Sequence, residues 1–168
     1  MARRSFPNAD DVVQVKVWHS GVVPPEHVDA NDHLNIVGYL QIAADGFARS
    51  GADVGIDADY LRERRLSTFV AEHHITYLAE LQAGERFSVH IRFLSRSDKV
   101  YHAMAFVLAA DRNVLAATCE ATVVHVSLKS RRPQEFPADV AAAIDLEVDR
   151  SENLPWPAPV CGAMGIRR

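Results

Sequence analysis

Residues 36–48 (Ile-Val-Gly-Tyr-Leu-Gln-Ile-Ala-Ala-Asp-Gly-Phe-Ala) carry an apolar or small side chain at nearly every position. The helix they predict, from about Ile36 to Arg49 with Asn35 as its N-cap and Ser50-Gly51 as its end, keeps almost no polar face for water. Such a helix is stable only when something is wrapped around it. The rest of the chain supplies the wrapping. Ser67–Leu78, Glu85–Ser95, Val100–Ala109 and Val114–Ser127 all read as strands. The cleanest alternation sets Phe87, Val89, Ile91 and Phe93 against Arg86, Ser88, His90 and Arg92, and Asp111-Arg112-Asn113 signals a hairpin between the last two strands. An earlier strand starts at Val12, with Val13, Val15 and Val17 on one side, and runs towards Val23 until Pro24-Pro25 stops it. The predicted class is α+β, one antiparallel sheet curled around one long central helix. Such a sheet leaves its other face and its edges needing cover, which favours dimerisation.

Around this unit, residues 1–11 read as a polar lead-in and Ala58–Arg65 as a small helix with Tyr60 and Leu61 inward. Pro137–Leu146 reads as an amphipathic helix, and residues 147–168, with Pro155, Pro157 and Pro159, as an irregular tail. The expected domain is therefore 12–146. A formal charge of −4 argues against nucleic acid and anionic membrane surfaces as partners, and no apolar run approaches the roughly 20 residues of a membrane helix. Arg3-Arg4 faintly suggests an export signal, but the polar Pro7-Asn8-Ala9-Asp10-Asp11 follows it. Cys119 and Cys161 form no disulfide or metal spacing, so a reducing cytoplasm is the expected compartment.

The stretch leading into the central helix, Val28-Asp29-Ala30-Asn31-Asp32-His33-Leu34-Asn35, is too polar for core. A carboxylate, two amides and an imidazole delivered to the positive end of a buried helix suit a site that binds and polarises a carbonyl. The plainer reading is a turn that caps the helix.

The motif Asp29-x-Asn31-x-His33-x-Asn35, followed by Tyr39, resembles the opening of hotdog-fold thioesterases. Ile75-Thr76-Tyr77 with Gly84-Glu85, and the basic stretch Lys129-Ser130-Arg131-Arg132-Pro133, are similar to later segments of the same family. Val17-Trp18, Phe69–Ile75 and Leu78-Ala79-Glu80 resemble thioesterases associated with carnitine breakdown, which act on betainyl-CoA. The resemblance spans roughly residues 12–140. It implies hydrolysis of a small acyl-CoA thioester by a homodimer or homotetramer, without metal or other cofactor.

On that reading Asp29 is the nucleophile or general base, with His33, Asn31 and Asn35 orienting it. The first amides of the helix, at Ile36, Val37 and Gly38, would hold the carbonyl oxygen, and Tyr39 and Thr68 would contact substrate. Glu72 is the second candidate carboxylate. Strand parity, however, groups it with Thr68, Val70 and His74, opposite Phe69, Ala71, His73, Ile75 and Tyr77. Lys129, Arg131 and Arg132 suit the phosphates of coenzyme A. A quaternary-ammonium acyl group would call for an aromatic wall, for which Trp18, Tyr39, Phe69, Tyr77 and Tyr101 are available. His73-His74 does not make a metal site, because strand neighbours point to opposite faces. Asp32 stands where the family usually has glycine and Ile36 where it usually has a second asparagine. These departures keep open a non-hydrolytic acyl-CoA-binding module; the rival among enzymes is a hotdog dehydratase, whose paired Asp/His site the loop motif matches less well than it matches thioesterases.

Overall fold

The computed structural model describes residues 5–166, so Arg3-Arg4 lies outside the described residues. The chain opens with α1 (Ala9–Val12), closed by a capping box in which the side chains of Asn8 and Asp11 each accept from the other's amide. The strand expected from Val12 therefore starts only at Val17, as β1 (Val17–Val22). An extension of β1 towards Val12 would have to lie along β3 (Arg86–Arg96), whose flank is taken there by α4 (Ala138–Glu152). Between β1 and β3 come α2 (Ile36–Asp53), α3 (Ala58–Arg64) and β2 (Leu66–Tyr77). β4 (Val100–Ala109) and β5 (Val114–Ser127) follow with the bounds their alternation predicts. All pairings are antiparallel, in the order β1-β3-β4-β5-β2, with α2 across one face. This is the hotdog arrangement.

α2 does not stop at Ser50-Gly51. Both residues are buried within it, and a Schellman motif ends it at Gly55 (φ +93°), with the Gly55 amide on Ala52 O and the Ile56 amide on Gly51 O. The helix lies close to β3 because position 46 is glycine: a Cβ there would sit 2.6 Å from Val89 Cγ1. Tyr39, Ile42 and Ala43 join Phe87, Val89, Ile91, Phe93, Ala103, Ala105, Cys119 and Ala121 in one core.

The sheet covers only one side of that helix. Ile36, Val37 and Leu40 are 70%, 59% and 39% exposed, so α2 is not buried all round within a single chain. The back of the sheet, by contrast, is covered by the chain's own ends. Val12 of α1 and Trp156 pack there with Met104, Phe106, Leu108 and Leu115. The segment after Leu146 is correspondingly ordered: α4 continues to Glu152, and the Arg92 guanidinium binds Ser151 O, Ser151 Oγ and Trp156 O while lying over the Trp156 ring. Uncovered apolar surface includes the flank of α2 and the free edge of β2, where Phe69 and Val70 are exposed.

A bulge at Ala71 alters the expected parity of β2. Val70 pairs with Val123 and Glu72 with Thr122, so one residue of β2 has no opposite number. Thr68 and Val70 therefore share the helix-facing side with His73, Ile75 and Tyr77, while Glu72 joins His74 on the back. Alternation alone cannot reveal an inserted residue.

Candidate active site

The polar loop is folded by its own side chains. Asp29 Oδ1 accepts from the Asn31 amide at 2.8 Å and from the His33 amide at 3.4 Å, and the Asp29 amide donates to His33 O at 2.9 Å. The Asn31 amide holds the exposed Asp29 carboxyl below its ordinary range, so it is ionised at neutral pH. Asp32 takes φ +60°, the left-handed region for which glycine is the usual residue, and aspartate is among the few others that tolerate it. The glycine-to-aspartate departure thus leaves the turn intact.

Further along, the Leu34 amide donates to Leu81 O and the Asn35 amide to His27 O, both at 2.8 Å, clamping the loop between two neighbouring segments. Asn35 Oδ1 then accepts from the Gly38 amide at 3.0 Å. That bond removes Gly38 from the expected set of carbonyl donors and leaves the amides of Ile36 and Val37 as the free ones at the helix start. Glycine at position 38 is a packing requirement, because a Cβ would fall 2.3 Å from Leu34 Cδ1. Tyr39 is committed to structure as well: its hydroxyl donates to Ala79 O at 3.1 Å and accepts from the Leu81 amide at 2.8 Å.

These elements border a cleft of about 510 Å³ whose walls include Asp29, His33, Asn35, Ile36, Tyr39 and Tyr77. His33 Nε2 lies 3.1 Å from Glu80 Oε2. Glu80, which also lines the cleft, was not singled out by the sequence reading, although it lies in the Leu78-Ala79-Glu80 segment that carries part of the resemblance. The Tyr77 ring stands edge-on to Tyr39 with centroids 5.2 Å apart and is itself 48% exposed.

Other candidates lie elsewhere. Asn31 contributes its backbone amide to Asp29 but is not part of the cleft wall, nor is the exposed Val37. Thr68 lines a second, largely apolar cavity of about 320 Å³ with Leu40, Phe47, Val70, His73 and Tyr101. Glu72 lies on the back of the sheet and borders neither cavity. Lys129, Arg131 and Arg132 are exposed in the turn after β5, beside the start of β2, since the Leu128 amide binds Arg65 O. The cleft adjoins the opposite end of that strand, and its 12 residues at about 3.4 Å each separate the two by roughly 35 Å. A single chain does not bring this basic turn to Asp29.

Comparison with known proteins bears on the fold and the family. A betainyl-CoA thioesterase of Pseudomonas aeruginosa is 28% identical over 153 residues, which cover 91% of this chain and 96% of that protein. An L-carnitine dehydrogenase/betainyl-CoA thioesterase of Ruegeria pomeroyi is 31% identical over 156 residues, 92% of this chain but 31% of that longer protein. The chain thus spans about a third of the length of such two-activity relatives. Among solved structures, a Staphylococcus aureus protein in complex with CoA superposes with a TM-score of 0.80 at 24% identity, over 91% of this chain and 97% of that one. The sequence model of the thioesterase-like superfamily matches residues 23–144, a span that holds α2, the polar loop and the whole of β2 to β5, and the chain belongs to that superfamily.

Proposed function

We propose that this chain hydrolyses a small acyl-CoA thioester to the free acid and coenzyme A, with betainyl-CoA as the leading candidate substrate. The observation that carries the reading is the position of Asp29, an ionised carboxylate on the rim of the cleft that also contains Ile36, at the free-amide end of α2. Asp29 either attacks the thioester carbonyl to give an acyl anhydride that water then hydrolyses, or takes a proton from an attacking water; on both routes the C–S bond breaks and coenzyme A leaves as a thiolate that takes a proton. Negative charge then grows on the carbonyl oxygen, where the free Ile36 amide of the cleft wall receives it, and a well-aimed donor of this type is worth roughly 3–4 kcal/mol. His33, paired with Glu80, fixes the loop behind the carboxylate. The exposed Tyr77 ring on the cleft wall suits a quaternary ammonium, which is drawn to aromatic faces.

The working unit in this reading is a homodimer in a reducing compartment, where both cysteines remain free thiols. β2 is an edge strand, and its neighbour α2 exposes Ile36, Val37 and Leu40. Antiparallel pairing of two β2 edges about a two-fold axis would cover this surface. It would also carry the partner's Lys129, the partner's Arg131 and the partner's Arg132 towards the cleft, where they would meet the phosphates of coenzyme A. The partner's Thr68 would approach by the same operation, whereas the partner's Glu72 would stay on the back of the sheet.

Thiol release from a panel of CoA esters, with betainyl-CoA beside short aliphatic and aromatic esters, tests the proposal. Turnover is expected to fall at least about a hundredfold in Asp29→Asn with ligand binding retained. Unchanged turnover in that variant would remove Asp29 from the mechanism. Binding of esters without turnover of any of them would replace the hydrolase with an acyl-CoA-binding module.

A further inference from the structure

The back of the sheet carries a cluster that the hydrolytic reading does not use. His74 of β2 pairs with Glu120 of β5, and Cys161 of the C-terminal segment comes down over both. Ligand atoms of His74, Glu120 and Cys161 all lie within 4.8 Å of one another. Glu120 is only 1% exposed, an expensive place for a carboxylate, and no lysine or arginine pairs with it among the described residues. It is instead held on both sides: His102 Nε2 binds Oε1 at 2.8 Å, and the Cys161 amide donates to Oε2 at 2.6 Å. The second bond is informative, because it brings the backbone of Cys161 to the carboxylate and so places the thiol beside it. The His74 ring has no other hydrogen-bond partner among the described residues.

We propose that His74, Glu120 and Cys161 form a binding site for a transition-metal dication of the zinc class, which ties the C-terminal segment to β2 and β5. The donor set is one imidazole nitrogen, one carboxylate oxygen and one thiolate sulfur, the mixture that borderline-soft cations take in tetrahedral geometry. Ligands about 2.0–2.3 Å from a shared ion stand roughly 3.5 Å apart, so closing around a cation needs only an inward turn of the half-exposed His74 and Cys161 side chains. The fourth position is left to solvent. Carboxylates that bind metals are themselves held by hydrogen bonds, and the bond from His102 supplies this. Cys161 binds as the thiolate, its proton released to solvent.

This site lies on the back of the sheet, and none of its three ligands lines the cleft, so its test does not depend on hydrolysis. Untagged, metal-free full chain is titrated with Co2+ alone while the thiolate-to-cobalt charge-transfer absorption is followed. The proposal expects one saturable equivalent, displaced by Zn2+, with affinity reduced roughly 10–100-fold or more in His74→Ala and the thiolate band absent in Cys161→Ala. Both substituted side chains are partly exposed, and circular dichroism confirms that each variant remains folded. No thiolate band in the parent protein, or a band that survives Cys161→Ala, would overturn the proposal. So would unchanged affinity in His74→Ala.

Discussion

Removing one oxygen atom, in Tyr39→Phe, measures how far the wall of the cleft depends on α2. The Tyr39 hydroxyl links α2 to both Ala79 O and the Leu81 amide. Leu81 is fully buried, so its N–H loses its partner in the variant and finds no water. A buried donor left unsatisfied costs about 1–3 kcal/mol, and the partly exposed Ala79 carbonyl adds little because solvent can replace the lost bond. A destabilisation of about 2 kcal/mol follows, and at roughly 2–4 °C per kcal/mol for a chain of this size the melting temperature should fall by about 4–8 °C. The Phe ring keeps its packing against Tyr77, so little of the loss comes from a cavity. Differential scanning calorimetry at fixed protein concentration reads the shift, and thioester turnover should fall with it, because Ala79 and Glu80 form part of the cleft wall. A change below 1 °C would refute the claim that this hydroxyl clamps the 79–81 segment.

Three further outcomes follow from the same structure. Phe69→Lys places a charge on the free edge of β2 and should shift the proposed dimer to monomer in light scattering, with turnover lost and circular dichroism retained. His90 and His125 are buried with their pKa values lowered by desolvation, so the unfolded chain gains their protons first. Their contribution is full above the ordinary histidine value of 6.5 and is lost as pH falls through their lower folded values, so the urea midpoint should drop below about pH 6.5 and drop less in His90→Gln. Arg92→Met removes three buried hydrogen bonds to Ser151 and Trp156 and should cost about 2–4 kcal/mol, with new protease cleavage after residue 150 and an intact sheet as the checks.

Elements governed by local pattern were legible in the sequence. β3, β4 and β5 alternate with period two between strong turn residues, and their bounds differ little from the expected ones. What depends on neighbours in space was not. Gly51 looks like a terminator until Gly55 supplies the positive φ that ends α2. The Ala71 bulge reverses the grouping of Thr68 and Val70 with Glu72, and nothing in Phe69-Val70-Ala71-Glu72 marks the extra residue. The same division runs through the site. Asp29, His33, Asn35 and Ile36 come together because one short loop carries them. Glu80 meets His33 only because two segments far apart in the chain are clamped side by side, and the Gly38 amide is lost to Asn35 because the cap closes. The proposed metal cluster was invisible for the same reason, since its three donors come from β2, β5 and the C-terminal segment.

Both ends of the described chain run over the back of the sheet, α1 beside Leu115 and Trp156 beside Phe106, whereas the cleft opens at the start of α2 on the other side. The described chain therefore enters and leaves the fold on the hemisphere away from the cleft, and its two ends leave the cleft mouth and the bare flank of α2 unobstructed. Substrate entry and self-association thus have one side of the sheet to themselves, while the ends of the described chain occupy the other.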